Sequence, residues 1–211
     1  MPSIQDVLAP LREATGELHA SLDAGLALAR PGASLADYAD HLLALRPWLA
    51  EVGFALAHTG AAGLAPFAAR IDSKLEALDA DLVDAGRMLP SPDRTAALAS
   101  ASDADTTLLA DASARIPGYG WGLVYVVEGS NLGGAVLHKR LRERLAPHPL
   151  RYLCGTGARG IAAEWATVVA RLGDALGDAG ALSGARQGAI DAFQRLMRRF
   201  DGPARPGAAA P

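Results

Sequence analysis

The chain is 211 residues long, half of them apolar, with a formal net charge of −3 and a single cysteine, Cys154. That length suits one largish domain; the charge gives no electrostatic case for a nucleic-acid partner, and one cysteine excludes an internal disulfide and any cysteine-rich metal site. The N-terminus has no basic region followed by an apolar run, and no apolar stretch nears the roughly 18 residues that span a bilayer, so the expectation is a cytoplasmic protein with no membrane segment.

Alanine and leucine dominate and β-branched residues are few, which favours helix. Ser3 is a good N-cap with Asp6 three residues on, and the spacing predicts a first helix from there. Val7, Leu11, Ala14 and Leu18 mark one apolar stripe of it; Leu8, Arg12, Thr15, His19, Leu22 and Leu26 mark the neighbouring stripe. Arg30-Pro31-Gly32 must end it. Ser34 caps a second helix, again with an acid three later at Asp37, and Tyr38, Leu42, Leu43 and Leu45 face inward. Pro47 falls inside the apolar run through Trp48, Leu49, Val52, Phe54 and Leu56, which predicts a kink or break, because proline removes a donor and clashes with the preceding turn. Gly60 to Gly63 reads as a turn.

Phe67, Ile71, Leu75, Leu78 and Leu82 predict a third helix. Leu89 to Ala104 reads as loop, and Asp103 or Asp105 as the cap of a short helix through Leu108 and Leu109. Pro117 suits the first turn of a glycine-rich helix running to about Leu145 and stopping at Pro147. Pro147 to Gly160 reads as a loop with three glycines, Ile161 to Leu176 as helix with Trp165, Val168, Val169 and Leu172 inward, and Ser183 as the cap of a last helix through Ile190, Phe193, Leu196, Met197 and Phe200. Asp201 to Pro211 has no periodicity and is expected to be a disordered tail. With no strand pairs, repeat or linker, the expectation is one all-α domain over residues 1–200, with about seven or eight helices.

Two stretches carry chemistry. In Tyr125-Val-Val-Glu-Gly-Ser-Asn-Leu-Gly-Gly-Ala-Val-Leu137, the flanks have helical apolar spacing but the middle holds Gly129, Gly133 and Gly134. Each interior glycine costs about 1 kcal/mol of helix propensity. Gly129 and Gly133 share a face, which presents bare backbone to something flat or bulky, or packs tightly on a neighbouring helix. The other stretch, Leu11-Arg-Glu-Ala-Thr-Gly-Glu-Leu-His19, places a histidine on an amphipathic helix with Arg12 two turns before it on the same side.

Together these two stretches resemble the haem oxygenases. Leu11 to His19 matches that family's proximal-helix pattern L-[KR]-x-A-T-x-x-x-H, and Gly129 to Gly134 matches its distal-helix pattern G-[DS]-x-x-G-G. Glu128 to Gly134 also reads E-G-S-x-L-G-G, as in bacterial members found beside bacteriophytochromes. The resemblance implies a haem-oxygenase-like helical bundle with haem b, both cofactor and substrate, sandwiched between the first helix and the glycine-rich distal helix. His19 would be the iron ligand; Arg12 and Tyr125 would contact propionates. Gly129, Gly133 and Gly134 would cover the open face, with Gly129, Ser130 and Gly133 shaping the catalytic side. One branch of the family has aspartate where this chain has Ser130, which leaves Asn131, Arg140 and backbone carbonyls as candidate anchors for ordered water. Arg195, Arg198 and Arg199 form a basic face beside Phe193 and Phe200, where a propionate or an electron donor could be met.

The implied reaction is oxidative opening of haem to biliverdin, with release of CO and ferrous iron, using O2 and electrons from an external ferredoxin or reductase. A bacteriophytochrome is a candidate recipient of the product. The alternative is a non-catalytic haem-binding or trafficking protein using the same pocket. Other chemistries fit less well. Asp37 and His41 are spaced to share a metal, but no Glu-x-x-His pair accompanies them. Cys154 lacks the motif of a thiaminase-like nucleophile. His58, His138 and His148 read as surface residues. Gly118-Tyr-Gly-Trp-Gly follows no predicted strand, so it is not a dinucleotide fingerprint.

Overall fold

The computed structural model describes residues 4–61, 63–87 and 103–200. Among them the chain forms α1 (Ile4–Gly25), a 3-10 turn (Ala27–Ala29), α2 (Leu35–Ala57), α3 (Ala65–Asp84), α4 (Asp103–Arg115), α5 (Tyr119–Leu141), α6 (Arg151–Cys154), α7 (Gly157–Ala175) and α8 (Ala179–Phe200). No strand occurs among the described residues, and the all-α expectation holds. No helix there is long and apolar enough to cross a membrane. The Ser3 cap with Asp6, the loop from Leu89, the capping role of Asp103 or Asp105 and the tail from Asp201 fall outside the described residues or side chains.

Several boundaries differ from the sequence reading for identifiable reasons. Ser34 and Asp37 form the full capping box, each side chain bonded to the other's backbone N–H, so Asp37 serves the helix end. α2 then runs unbroken through Pro47. Trp48, Leu49 and Val52 are completely buried just beyond the proline, and the Trp48 indole N–H donates to the Ala192 carbonyl at 3.0 Å. Tertiary packing there outweighs the roughly 3 kcal/mol that an interior proline costs. α5 begins after Pro117, at Tyr119, because Gly118 adopts a left-handed conformation (φ 78°) as its N-cap. It also ends at Leu141, short of Leu145. α8 starts at Ala179 with Asp178 as cap, its carboxylate accepting from Ala181 N–H at 2.9 Å; Ser183 lies inside the helix.

The largest local departure is α6 within the expected Pro147–Gly160 loop. Asp81 of α3, with no solvent exposure, accepts the N–H groups of Arg151 at 3.0 Å and Tyr152 at 2.9 Å, and the Tyr38 hydroxyl at 2.7 Å. A buried carboxylate on the first orphan donors of a helix supplies both hydrogen bonds and favourable charge. His148 is not a surface residue; its Nε2 donates to the Asp81 carbonyl at 3.0 Å and its Nδ1 accepts from Leu150 N–H at 3.2 Å. Asp81, Asp84 and His148 thus lie within ligand distance of one another but each is committed to protein partners, with Arg151 bonded to both aspartates.

α8 is the common floor of the bundle. It packs against α1, α2 and most extensively α5, while α7 packs against α1 and α5, and α3 and α4 lie against α2. The α5–α8 crossing is made by small residues. A Cβ on Gly118 or Gly122 would collide with the carbonyls of Ala181 or Ala185, and one on Gly184 or Gly188 with those of Pro117 or Tyr119. Arg195 and Arg199 on α8 pair with the buried Glu51 of α2, so two of the three C-terminal arginines hold helices together.

Candidate functional site: a groove between the first helix and the glycine-rich helix

α1 and α5 rest on the same floor yet barely touch each other among the described residues. Two contacts join them. The Tyr125 phenol lies beside the Thr15 hydroxyl on α1, which itself donates to the Leu11 carbonyl at 2.9 Å. At the other end, Arg140 Nη1 donates to the carbonyl of Ala29 at 2.9 Å, in the turn after α1. Both pairs are about 110 positions apart in the chain, so the two segments run in the same sense with that offset. Tyr125, Gly129, Leu132, Gly133, Val136 and Arg140 fall on one helical stripe, because three- and four-residue steps return to the same face. At 1.5 Å per residue, the stripe from Tyr125 to Arg140 is about 22 Å long.

The stripe is bare. Nothing lies within 4 Å of where a Gly133 side chain would start, Val136 is 62% exposed and Leu132 39%. Gly129 differs from Gly133: a Cβ there would meet the Trp165 ring of α7 at 3.6 Å. Trp165 also stands 5.9 Å from the Tyr125 ring, so it backs the groove at that end. Gly134 faces away, toward Leu153 at 3.7 Å, and Ser130 donates to the Val127 carbonyl at 2.7 Å; both line a cavity behind α5 rather than the groove.

His19 is 62% exposed, and its Nδ1 lies 3.0 Å from the Asp23 carboxylate one turn on. A carboxylate only accepts, so an Nδ1–H is the arrangement that suits this neighbour. Phe193 of α8 sets its ring 5.8 Å from the His19 ring and limits how the imidazole turns. Arg12 is exposed one turn before Thr15. Burial raises the Tyr125 pKa, and the neighbouring Thr15 hydroxyl and the Arg12 charge oppose that rise. A cation and a phenol thus share one end of the groove, and Arg140 stands at the other.

The structure sets Tyr125 near Arg12 and His19 beside Phe193, covers Gly129 with the Trp165 ring, leaves Gly133 open, and puts Ser130 and Gly134 on the wall of the cavity behind α5. Asp23 and Trp165 were missed as site residues. Asp23 had a readable signal, an acid four residues after the histidine on the same helix face; Trp165, 36 positions past Gly129, had none. His41 is not paired with Asp37 but stacks on Phe200, its pKa pushed down to about 4 by burial. No protein-family model matches the chain, and no curated protein matches it.

Proposed function

We propose that the groove binds haem and that the chain is a haem-degrading oxygenase, opening haem to biliverdin with release of CO and ferrous iron, using O2 and external electrons. The observation that carries this is the open backbone at Gly133. Gly118, Gly122, Gly184 and Gly188 are glycines because a side chain would strike a neighbouring backbone. Gly133 has no such neighbour, yet it gives up about 1 kcal/mol of helix propensity. Protein packing does not require it, and the bare backbone leaves room for a flat ligand to lie against α5.

The residues present fit haem. His19 is an exposed imidazole on α1 with Asp23 beside its Nδ1, and neutral imidazole is a common axial haem ligand. A carboxylate orients that imidazole through its other nitrogen, the usual outer arrangement around a metal-bound histidine. Arg12 and Tyr125 offer a cation and a hydroxyl to the ligand's carboxylates, where charge-assisted bonds are strongest. When bound, haem would supply the redox iron and the ring edge at which oxygen is inserted. The chain's own part is to hold that ring from the His19 side, to fix its orientation through Arg12 and Tyr125, and to keep the α5 side from Gly129 to Val136 free of acidic or basic side chains on the stripe. Gly129, Leu132, Gly133 and Val136 offer no proton donor of their own, so protons reach the groove through water.

The test is haem titration of the pure protein, followed by ascorbate and chromatography of the pigment. A one-to-one complex that yields biliverdin and free iron is expected. Haem that binds and is never opened would reduce the chain to a carrier, and absence of binding would overturn the reading altogether.

A further inference from the structure

Behind α5 lies a cavity of about 470 Å³, a size typical of small-ligand sites. Arg70 and Lys74 of α3, Asn131 of α5 and Glu164 of α7 stand on its wall, with Arg151 of α6. It shares none of Arg12, His19 and Tyr125 with the groove.

The charges on this wall are unequally engaged. Arg70 Nη2 donates to Glu128 Oε2 at 2.9 Å and to Glu164 Oε2 at 2.7 Å, so this guanidinium lies between two carboxylates. Arg151 is paired with Asp81 and Asp84. Lys74 differs from both. Its Nζ donates at 2.5 Å to the carboxamide oxygen of Asn131, a neutral group, and its other two N–H groups have no acceptor among the described residues. Asn131 passes its own Nδ2 hydrogen to Glu128 at 3.1 Å, and so stands between the ammonium and that buried carboxylate. Burial lowers the Lys74 pKa, and Glu128 offsets part of the shift. A half-buried ammonium with no anion in contact gains from one that reaches it.

The surroundings say which anion. Ser73 and Thr156 place hydroxyls on the same wall. α7 begins just beyond Thr156 with no side chain capping its first N–H groups, a setting that favours negative charge. Lys74 offers one uncompensated positive charge, and Glu164 stands nearby, so a singly charged group fits better than a doubly charged phosphate. The rest of the wall is apolar, from Ala77, Leu153 and Ile161.

We propose that this cavity is a binding site for a small monocarboxylic acid with a short aliphatic chain. The carboxylate sits on Lys74 Nζ with help from Ser73 and Thr156, and the chain lies against Ala77, Leu153 and Ile161. The proposal stands apart from the haem reading, since it uses a different face of α5 and none of the haem-contact residues.

Calorimetric titration of the full chain without haem tests this, using hexanoate, its uncharged isostere hexanamide, and inorganic phosphate. Hexanoate should bind one to one, and hexanamide tenfold to a hundredfold more weakly, the usual worth of one charge-assisted hydrogen bond. Phosphate should bind more weakly than hexanoate. Lys74→Met should weaken hexanoate by the same tenfold to hundredfold, and Lys74→Arg should recover part of it, with melting curves establishing that each variant is folded. Arg12→Ala should leave hexanoate affinity unchanged, which separates this cavity from the groove. No hexanoate binding to wild type overturns the proposal without use of any variant. Equal binding of hexanoate and hexanamide overturns the role of the ammonium, and tighter binding of phosphate overturns the monocarboxylate class. Hexanoate binding that survives Lys74→Met and is lost in Arg12→Ala overturns the location.

Discussion

Glycine at position 133 admits an opposing pair of expectations, which makes it the most informative site to change. A Cβ built there meets nothing within 4 Å, and the backbone is helical. Gly133→Ala should therefore stabilise the apoprotein by about 1 kcal/mol, from helix propensity and the reduced freedom of the unfolded chain. In a chain of this size that raises the melting temperature by roughly 2–4 °C. Gly122→Ala is the internal control: its Cβ would strike the carbonyl of Ala185 and the nitrogen of Ala189, both backbone, which cannot move aside cheaply. It should cost at least the roughly 1–3 kcal/mol of an overpacked core. Melting curves of the two apoproteins should thus move in opposite directions. Gly133→Leu extends the side chain along the groove; it should leave the fold and haem ligation by His19 intact while cutting biliverdin yield severely. A Gly133→Ala protein that melts below wild type would refute the open-groove geometry, and Gly133→Leu with a full yield of biliverdin would refute the assignment of this face to haem.

His19→Ala should leave the melting temperature near wild type, since the side chain is exposed, while abolishing the histidine-ligated haem spectrum and turnover. Asp23→Asn should weaken haem binding about 10–100-fold, the usual effect of losing the outer partner of a metal-bound histidine, measured by spectroscopic titration. Arg12→Ala removes one charge-assisted contact, about 1.5–3 kcal/mol, so haem affinity should fall roughly tenfold to a hundredfold, with mixed biliverdin isomers seen by chromatography. The His41 pKa lies near 4 in the folded chain against about 6.5 when unfolded, so the unfolded state binds more protons between these values. Stability should be complete above about pH 6.5 and decline as pH falls toward 4; denaturant titrations across that range should show the slope, and His41→Phe should flatten it.

The helix count and the core stripes were legible because they depend on spacing within one element. Val7 and Leu11, Leu42 and Leu45, Phe67 and Leu78, Val168 and Leu172 are buried as their periodicity requires. What the sequence could not carry was pairing across long separations. Asp81 makes α6 out of an expected loop from some 70 positions away. Ala192 anchors Trp48 across 144 positions and helps keep α2 whole through Pro47. Arg195 and Arg199 read as a free basic face because their partner, Glu51, lies on another helix. The network behind α5 gathers Lys74, Glu128 and Glu164 from three helices, and no motif announces it.

The glycines divide in a way that explains how one helix serves two purposes. The first turns of α5 carry Gly118 and Gly122, which let α8 approach until backbone meets backbone. That contact fixes where α5 lies on the shared floor. α1 is held on the same floor, so its distance from α5 is set by α8 rather than by contacts between the two. Further along α5 the glycines change meaning: Gly133 has no neighbour at all. The Tyr125–Thr15 and Arg140–Ala29 contacts then fix the lengthwise offset at both ends. A groove defined by a rigid third helix stays open without a ligand, because neither wall gains by collapsing onto the other while each remains packed on the floor. Widening the α5–α8 contact, as Gly122→Ala does, should therefore disturb the groove as well as the core, whereas Gly133→Ala leaves that contact untouched and changes what the groove admits.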